Sequence, residues 1–270
     1  MRFILLAHQR TGTTVFRNLV NQHPKLFMYG EAMFPDYFDW GWYSYLNGKM
    51  AEDKRAMLPA VCGRYLLPYL NNLALQKEAN GKQIVGVDIK LPQSELIQDF
   101  RTQIRASKFG ILHLRRRNTL ACVLSYMTMM KRKRRKGIAA HGTEAPQNDP
   151  VMIDLERLEI LMERYRNQDH MANWAFRHLH YMEIWYEDFT HPDGWQPTCD
   201  MLSAFFGMPF HVEFTPSLKK QNSSNLMDLI RNADAVREAY PDYFDDAAAD
   251  AMHETGTNAP VLRRSAANQA

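Results

Sequence analysis

The chain has 270 residues, 46% of them apolar and 23% charged, and carries a formal net charge of +3. This is the balance of a soluble globule with a sizeable core, and it excludes collagen-like, low-complexity and wholly disordered classes. Cys62, Cys122 and Cys199 stand far apart without CxxC or Cys–His ligand spacing, which argues against both a zinc module and a disulfide scaffold.

Residues 2–7 are short and apolar, and the chain turns polar at His8. That pattern predicts a buried strand; a secretory leader would have a longer apolar region and a small-residue cleavage site. Val15, Phe16, Leu19 and Val20 then recur at helical spacing until His23-Pro24 ends the helix. Residues 26–29 form a second strand that ends at Gly30-Glu31, and a crossover of this length suits a βαβ unit. Residues 83–89 and 110–115 read as further strands, the latter running into an apolar helix from near Asn118. Val151, Leu155, Leu158, Leu161 and Tyr165 share one face of an amphipathic helix, and a strand over 181–186 follows. Residues 137–150 read as a mobile loop, and the chain from 243 to 270 as a poorly ordered tail. The expected domain is therefore a single one over 1–242. No apolar run approaches the ~18 residues of a membrane span, and unpaired cysteines fit a cytoplasmic location.

Residues 101–136 hold twelve of the 33 Lys and Arg and no Asp or Glu. The remaining 21 basic residues face 30 acidic ones, so a block of +12 sits beside a remainder of net −9. Such an asymmetry suggests an anionic ligand or surface. The run Lys131–Lys136 reads as the basic end of a helix, where the dipole favours cations, or as a patch for an anionic glycan, headgroup or membrane surface. No stacking aromatics or recognition helix accompany it, so no nucleic-acid partner is expected.

Arg10-Thr11-Gly12-Thr13-Thr14 lies between the first strand and the first helix. Unpaired N–H groups at a helix N-terminus, together with the helix dipole, form an anion site. Gly12 permits close approach, Arg10 can contact phosphate or sulfate oxygens bidentately, and Thr13 and Thr14 add hydroxyls. The Lys and first Gly of a Walker A loop are absent. A second strand-to-helix junction carries Arg115-Arg116-Arg117-Asn118-Thr119, with Ser125 eight residues after Arg117. This spacing predicts a second phosphate clamp.

With these two motifs the chain resembles the sulfotransferases that use 3′-phosphoadenosine 5′-phosphosulfate (PAPS). Within them it is most similar to the bacterial carbohydrate type, the rhizobial nodulation-factor enzymes in particular. Leu6–Thr13 resembles the 5′-phosphosulfate loop, and Leu19–Pro24 the helix after it. Arg116–Leu120 with Ser125 resembles the 3′-phosphate motif. Tyr186-Glu187-Asp188, Lys220-Gln221 and Leu229–Asn232 match later segments. The family's third-strand Lys, two residues after a Gly, is here Asp88; Lys90 lies on the same strand face and can substitute.

The resemblance implies an α/β, P-loop-like three-layer fold with a central, mainly parallel sheet flanked by helices. It implies PAPS as sulfuryl donor, no metal, and a hydroxyl of a carbohydrate or glycolipid as acceptor. Arg10 and the N–H groups of 11–14 would take charge building on the 5′-phosphate side. Glu31, at a strand end beside the loop, would be the general base, with Asp88 and His8 in reserve. Arg117 and Ser125 would hold the 3′-phosphate, Tyr186 the adenine, and Lys220 would close over the cofactor. Residues 34–45 hold seven aromatics in twelve positions, so Trp40 or Trp42 is a candidate wall for the acceptor. Two rival functions remain: a nucleotide-dependent kinase on the same fold, and a non-enzymatic polyanion-binding protein built on 131–136.

Overall fold

A computed structural model describes residues 1–33, 39–136, 150–213, 228 and 230–244. The expected loop 137–150 and tail 243–270 lie outside these residues except for Pro150, Tyr243 and Phe244. Lys219 and Lys220 lie outside them too. The strands are β1 (Arg2–Ala7), β2 (Leu26–Glu31), β3 (Ile84–Lys90), β4 (Gly110–Arg115) and β5 (Tyr181–Trp185). The α-helices are α1 (Thr13–Val20), α2 (Trp42–Lys49), α3 (Pro59–Cys62), α4 (Leu66–Glu78), α5 (Leu91–Glu95), α6 (Phe100–Ala106) and α7 (Thr119–Lys136). After these come α8 (Leu155–Phe176), α9 (Tyr186–Thr190), α10 (Pro192–Phe206) and α11 (Ala233–Ala239). No helix among the described residues is long and apolar enough to cross a membrane.

The chain divides into two compact units, Met1–Arg116 with Arg164–Lys219, and Arg117–Glu163 with Lys220–Ala270. The first holds the whole sheet, in the order β2-β3-β1-β4-β5 with every neighbouring pair parallel. Parallel strands covered on both faces are apolar throughout, which is why β1 reads as an unbroken apolar run. Its side chains still alternate. Phe3, Leu5 and Ala7 join Phe16, Leu19, Leu202 and Phe206 of α1 and α10. Ile4 and Leu6 join Leu70, Leu73, Ile104 and Phe176 of α4, α6 and α8 on the opposite face. The sheet with these two helical layers is the three-layer α/β fold that the sequence predicts, with all strands parallel.

Gly86 is required on β3 because a Cβ there would lie 2.1 Å from the Phe3 ring. Asp88 and Lys90 follow Gly86 on the same strand face, and both are buried.

In the second unit, Asn118 accepts from Ala121 N at 2.7 Å and so caps α7. Helix α7 continues through the basic run to Lys136. Val151 pairs with Ile230 in a parallel bridge. Asn232 closes the same junction with two 2.8 Å bonds, accepting from Ile153 N and donating to Ile153 O.

Three local expectations are corrected. Val151 belongs to that bridge and not to α8, whose buried face instead runs through Leu158, Met162 and Tyr165, with Leu155 exposed. Tyr186 opens α9, because Glu187 and Asp188 place acidic groups in a helical first turn. Lys90 belongs to β3, one residue past the predicted end.

Candidate active site

The turn after β1 is held in an unusual backbone shape. Arg10 has φ 70° and Gly12 φ 85°. A non-glycine residue in the left-handed region costs about 1–2 kcal/mol, so the turn keeps Arg10 there against a local preference. Three contacts fix it. Thr11 Oγ1 donates to His8 O at 2.8 Å. Arg116 Nη1 donates to Arg10 O at 3.3 Å. The Tyr186 ring lies where a Gly12 Cβ would be, 2.4 Å from that position. Helix α1 starts at Thr13 with Gly12 at its cap; no side chain among the described residues caps it and its first turn holds no acid. An uncapped N-terminus of this kind presents N–H donors and the positive end of the dipole. Thr14 follows, partly exposed.

The sequence predicts Glu31 beside this turn through a direct β1–β2 neighbourhood. The structure corrects that topology: β3 lies between β1 and β2. In register, Asp88 faces Leu5 on one side and Glu31 on the other, while Lys90 faces Ala7. The ends of three strands therefore meet, with the middle one carrying the charges. Lys90 Nζ donates to Thr13 Oγ1 at 2.6 Å and to Asp88 Oδ2 at 2.9 Å, and lies 3.7 Å from Glu31 Oε1. One buried ammonium thus touches both the turn and Glu31, whose side chain is 36% exposed. The other oxygen of Asp88, Oδ1, is buried and has no partner among the described residues.

Sequence similarity adds little to this geometry. No protein-family model matches the chain, and no curated protein sequence matches it. Among solved structures it is similar to a sulfotransferase from Alicyclobacillus acidocaldarius, 15% identical over 98% of this chain and 99% of that one, TM-score 0.48. It is also similar to the sulfotransferase domain from the curacin biosynthetic pathway, 15% identical over 97% and 93%, TM-score 0.48.

His8, a reserve base in the sequence, is a buried structural group. Its ring stacks on Tyr165 at 3.9 Å, and Nε2 meets Tyr165 O at 3.0 Å and Asp169 Oδ1 at 3.1 Å. Asp169 also takes His113 Nε2 at 3.0 Å. Burial pushes the Asp169 carboxyl up, but His8 and His113 outweigh it and hold the group well below the usual carboxylate range. Arg115 and Arg116 both find acids: Arg115 Nη1 lies 3.2 Å from Glu183 Oε2, and Arg116 Nε lies 3.8 Å from Glu187 Oε1. The Arg116 guanidinium also lies 4.7 Å from the centre of the Tyr186 ring. Tyr186 therefore packs on the turn itself.

Trp42 is corrected as an acceptor wall. It is buried against Tyr69, with ring centres 5.2 Å apart. Trp40 is partly buried, 4.9 Å from Tyr29. Residues 34–38 lie outside the described residues. In the second unit, Arg117 precedes α7 and accepts from Thr119 N through its carbonyl at 2.9 Å. Ser125 is buried on the second turn of α7.

The sequence missed the bond between Lys90 and Thr13. Its signal was the alternation of Val85, Val87 and Ile89 with Gly86, Asp88 and Lys90, which sets two charges on one face of a buried strand. Buried charges require partners, and no local pattern names them across 77 residues.

Proposed function

We propose that the chain is a sulfotransferase that moves a sulfuryl group from PAPS to a hydroxyl of a carbohydrate or glycolipid. The observation that supports it most is the contact of one buried ammonium with both Thr13 in the turn and Glu31. Through Lys90 it links a carboxylate to Thr13, the first residue of α1. A partly exposed carboxylate there suits proton removal, and the turn suits an anionic donor.

In this reading the acceptor oxygen attacks sulfur while the bond from sulfur to the 5′-phosphate oxygen breaks. The acceptor proton passes to Glu31, and adenosine 3′,5′-bisphosphate leaves. Arg10 and the N–H groups of residues 11–14 stabilise the charge that builds on the departing phosphate. Such preorganised donors contribute about 3–4 kcal/mol each. The assignment of the 3′-phosphate to Arg117 and Ser125 rests on their sequence motif, as does that of Lys220. The acceptor class follows the resemblance to the bacterial carbohydrate enzymes, the nodulation-factor type in particular.

The test is release of adenosine 3′,5′-bisphosphate from PAPS in the presence of chito-oligosaccharides. Release that depends on the sugar and disappears in Arg10→Ala is expected. Phosphate transfer from ATP with magnesium, with no release from PAPS, would replace this reading by the kinase.

A further inference from the structure

We propose that Lys90 is a positioning residue for the anion site: clamped by Asp88, it fixes the Thr13 hydroxyl so that its proton faces the ligand. The inference rests on the reading of the turn as an anion site, and it concerns how that site is held.

A hydroxyl has one proton to give and two lone pairs to receive. An ammonium can only donate. The 2.6 Å contact therefore makes Thr13 Oγ1 the acceptor from Lys90. Its own proton must point elsewhere. Within a helix, Thr commonly gives that proton to a carbonyl one turn back. Thr13 is the first residue of α1 and has no helical turn before it. Among the described residues no acceptor takes the Thr13 proton. Thr11, two residues earlier, differs: its hydroxyl donates to His8 O. Thr13 thus keeps its donor in reserve.

Lys90 does not serve as a direct ligand in this arrangement. Its three N–H groups face Thr13, Asp88 and Glu31, at 2.6, 2.9 and 3.7 Å. Lys90 is 1% exposed and Asp88 3%. A buried ammonium persists only with a close counter-charge, and Asp88, two residues back on the same face, supplies it. The pair is rigid because both residues belong to a central strand paired on each side. The order of action is Asp88 on Lys90, Lys90 on Thr13, and Thr13 on the ligand.

The experiment is a double-mutant cycle read by calorimetry with inorganic pyrophosphate and with adenosine 3′,5′-bisphosphate. The proteins are wild type, Lys90→Met, Thr13→Val and the double variant, with Thr13→Ser as a control. Each single variant is expected to bind about tenfold more weakly, the scale of one hydrogen bond to a charged group. Thr13→Ser keeps the wild-type affinity. The double variant binds no more weakly than Thr13→Val alone. If Lys90→Met does not fold because it strands the Asp88 carboxylate, Asp88→Asn with Lys90→Met removes both charges and takes its place.

Unchanged affinity in Lys90→Met, or in Thr13→Val, overturns the inference. So does a double variant whose loss is the product of the two single losses, since Lys90 would then act on the ligand or on the general structure. Wild-type protein that binds neither compound overturns it as well. Wild-type protein that binds pyrophosphate but does not prefer the bisphosphate to ADP sinks the PAPS assignment alone, and the pyrophosphate cycle still decides the role of Lys90.

Discussion

His8 Nε2 and Asp169 Oδ1 lie 3.1 Å apart inside the first unit, joining the residue after β1 to the middle of α8. Tyr165 O and Asp169 can only accept here, so Nε2 carries the proton. Because the Asp169 carboxyl is held below its ordinary range, the unfolded chain takes up a proton there at higher pH than the folded chain does. Its contribution to stability is full above roughly pH 5 and is lost progressively as pH falls below that. Asp169→Asn is predicted to destabilise the protein by about 3–5 kcal/mol at neutral pH. It should also flatten the acid decline seen in urea unfolding between about pH 5 and pH 3. A variant as steep as wild type over that range contradicts this role.

Arg2 and Glu78 make the opposite case. Their contact is bidentate, at 2.9 and 2.8 Å, but each side chain is 29% exposed. Solvent screening limits such a pair to about 1 kcal/mol or less. Glu78→Gln is predicted to change unfolding free energy by no more than that in urea titrations. A loss above about 2 kcal/mol would show that this pair behaves as a buried one.

Gly12 combines a positive φ with the Tyr186 ring at its missing Cβ. In Gly12→Ala both the backbone and the ring must shift. We predict a cost of about 1–3 kcal/mol and a loss of pyrophosphate binding larger than that of any surface substitution. Tyr186→Ala in the same background removes the clash but not the backbone strain, so calorimetry should show partial recovery. Full wild-type binding in Gly12→Ala would mean that the turn's shape is immaterial to the ligand.

Glu31→Gln separates binding from chemistry. The variant is predicted to keep its affinity for adenosine 3′,5′-bisphosphate while turnover falls by about 10²–10⁴. Initial rates with PAPS and calorimetry on the same preparations give both numbers. Normal turnover removes Glu31 as the base, and Asp88, whose buried Oδ1 has no hydrogen-bond partner among the described residues, becomes the next residue to substitute.

Much of the first unit was legible because its elements are locally punctuated. Strand β1 is an apolar run ended by His8, and β4 spans the predicted residues 110–115. The turn was legible from Gly12 between a strand and an apolar helical repeat. The order of strands was not. Pairing of β3 between β1 and β2 depends on contacts across more than fifty residues, for which local periodicity has no signal. Every feature that depends on it, Lys90 against Thr13 above all, was hidden for the same reason. Val151 misled because it stands four residues before Leu155, a helical spacing, while its true partner is Ile230. The buried set of His8, His113 and Asp169 was invisible because polar residues carry no burial signal until their partners are known.

The most direct measurement is thermal shift with adenosine 3′,5′-bisphosphate against ADP, in wild type and in Arg117→Ala. A clearly larger rise in Tm with the bisphosphate is expected, with loss of that preference in the variant. Equal shifts with both nucleotides, or none with either, would contradict a donor recognised by its 3′-phosphate.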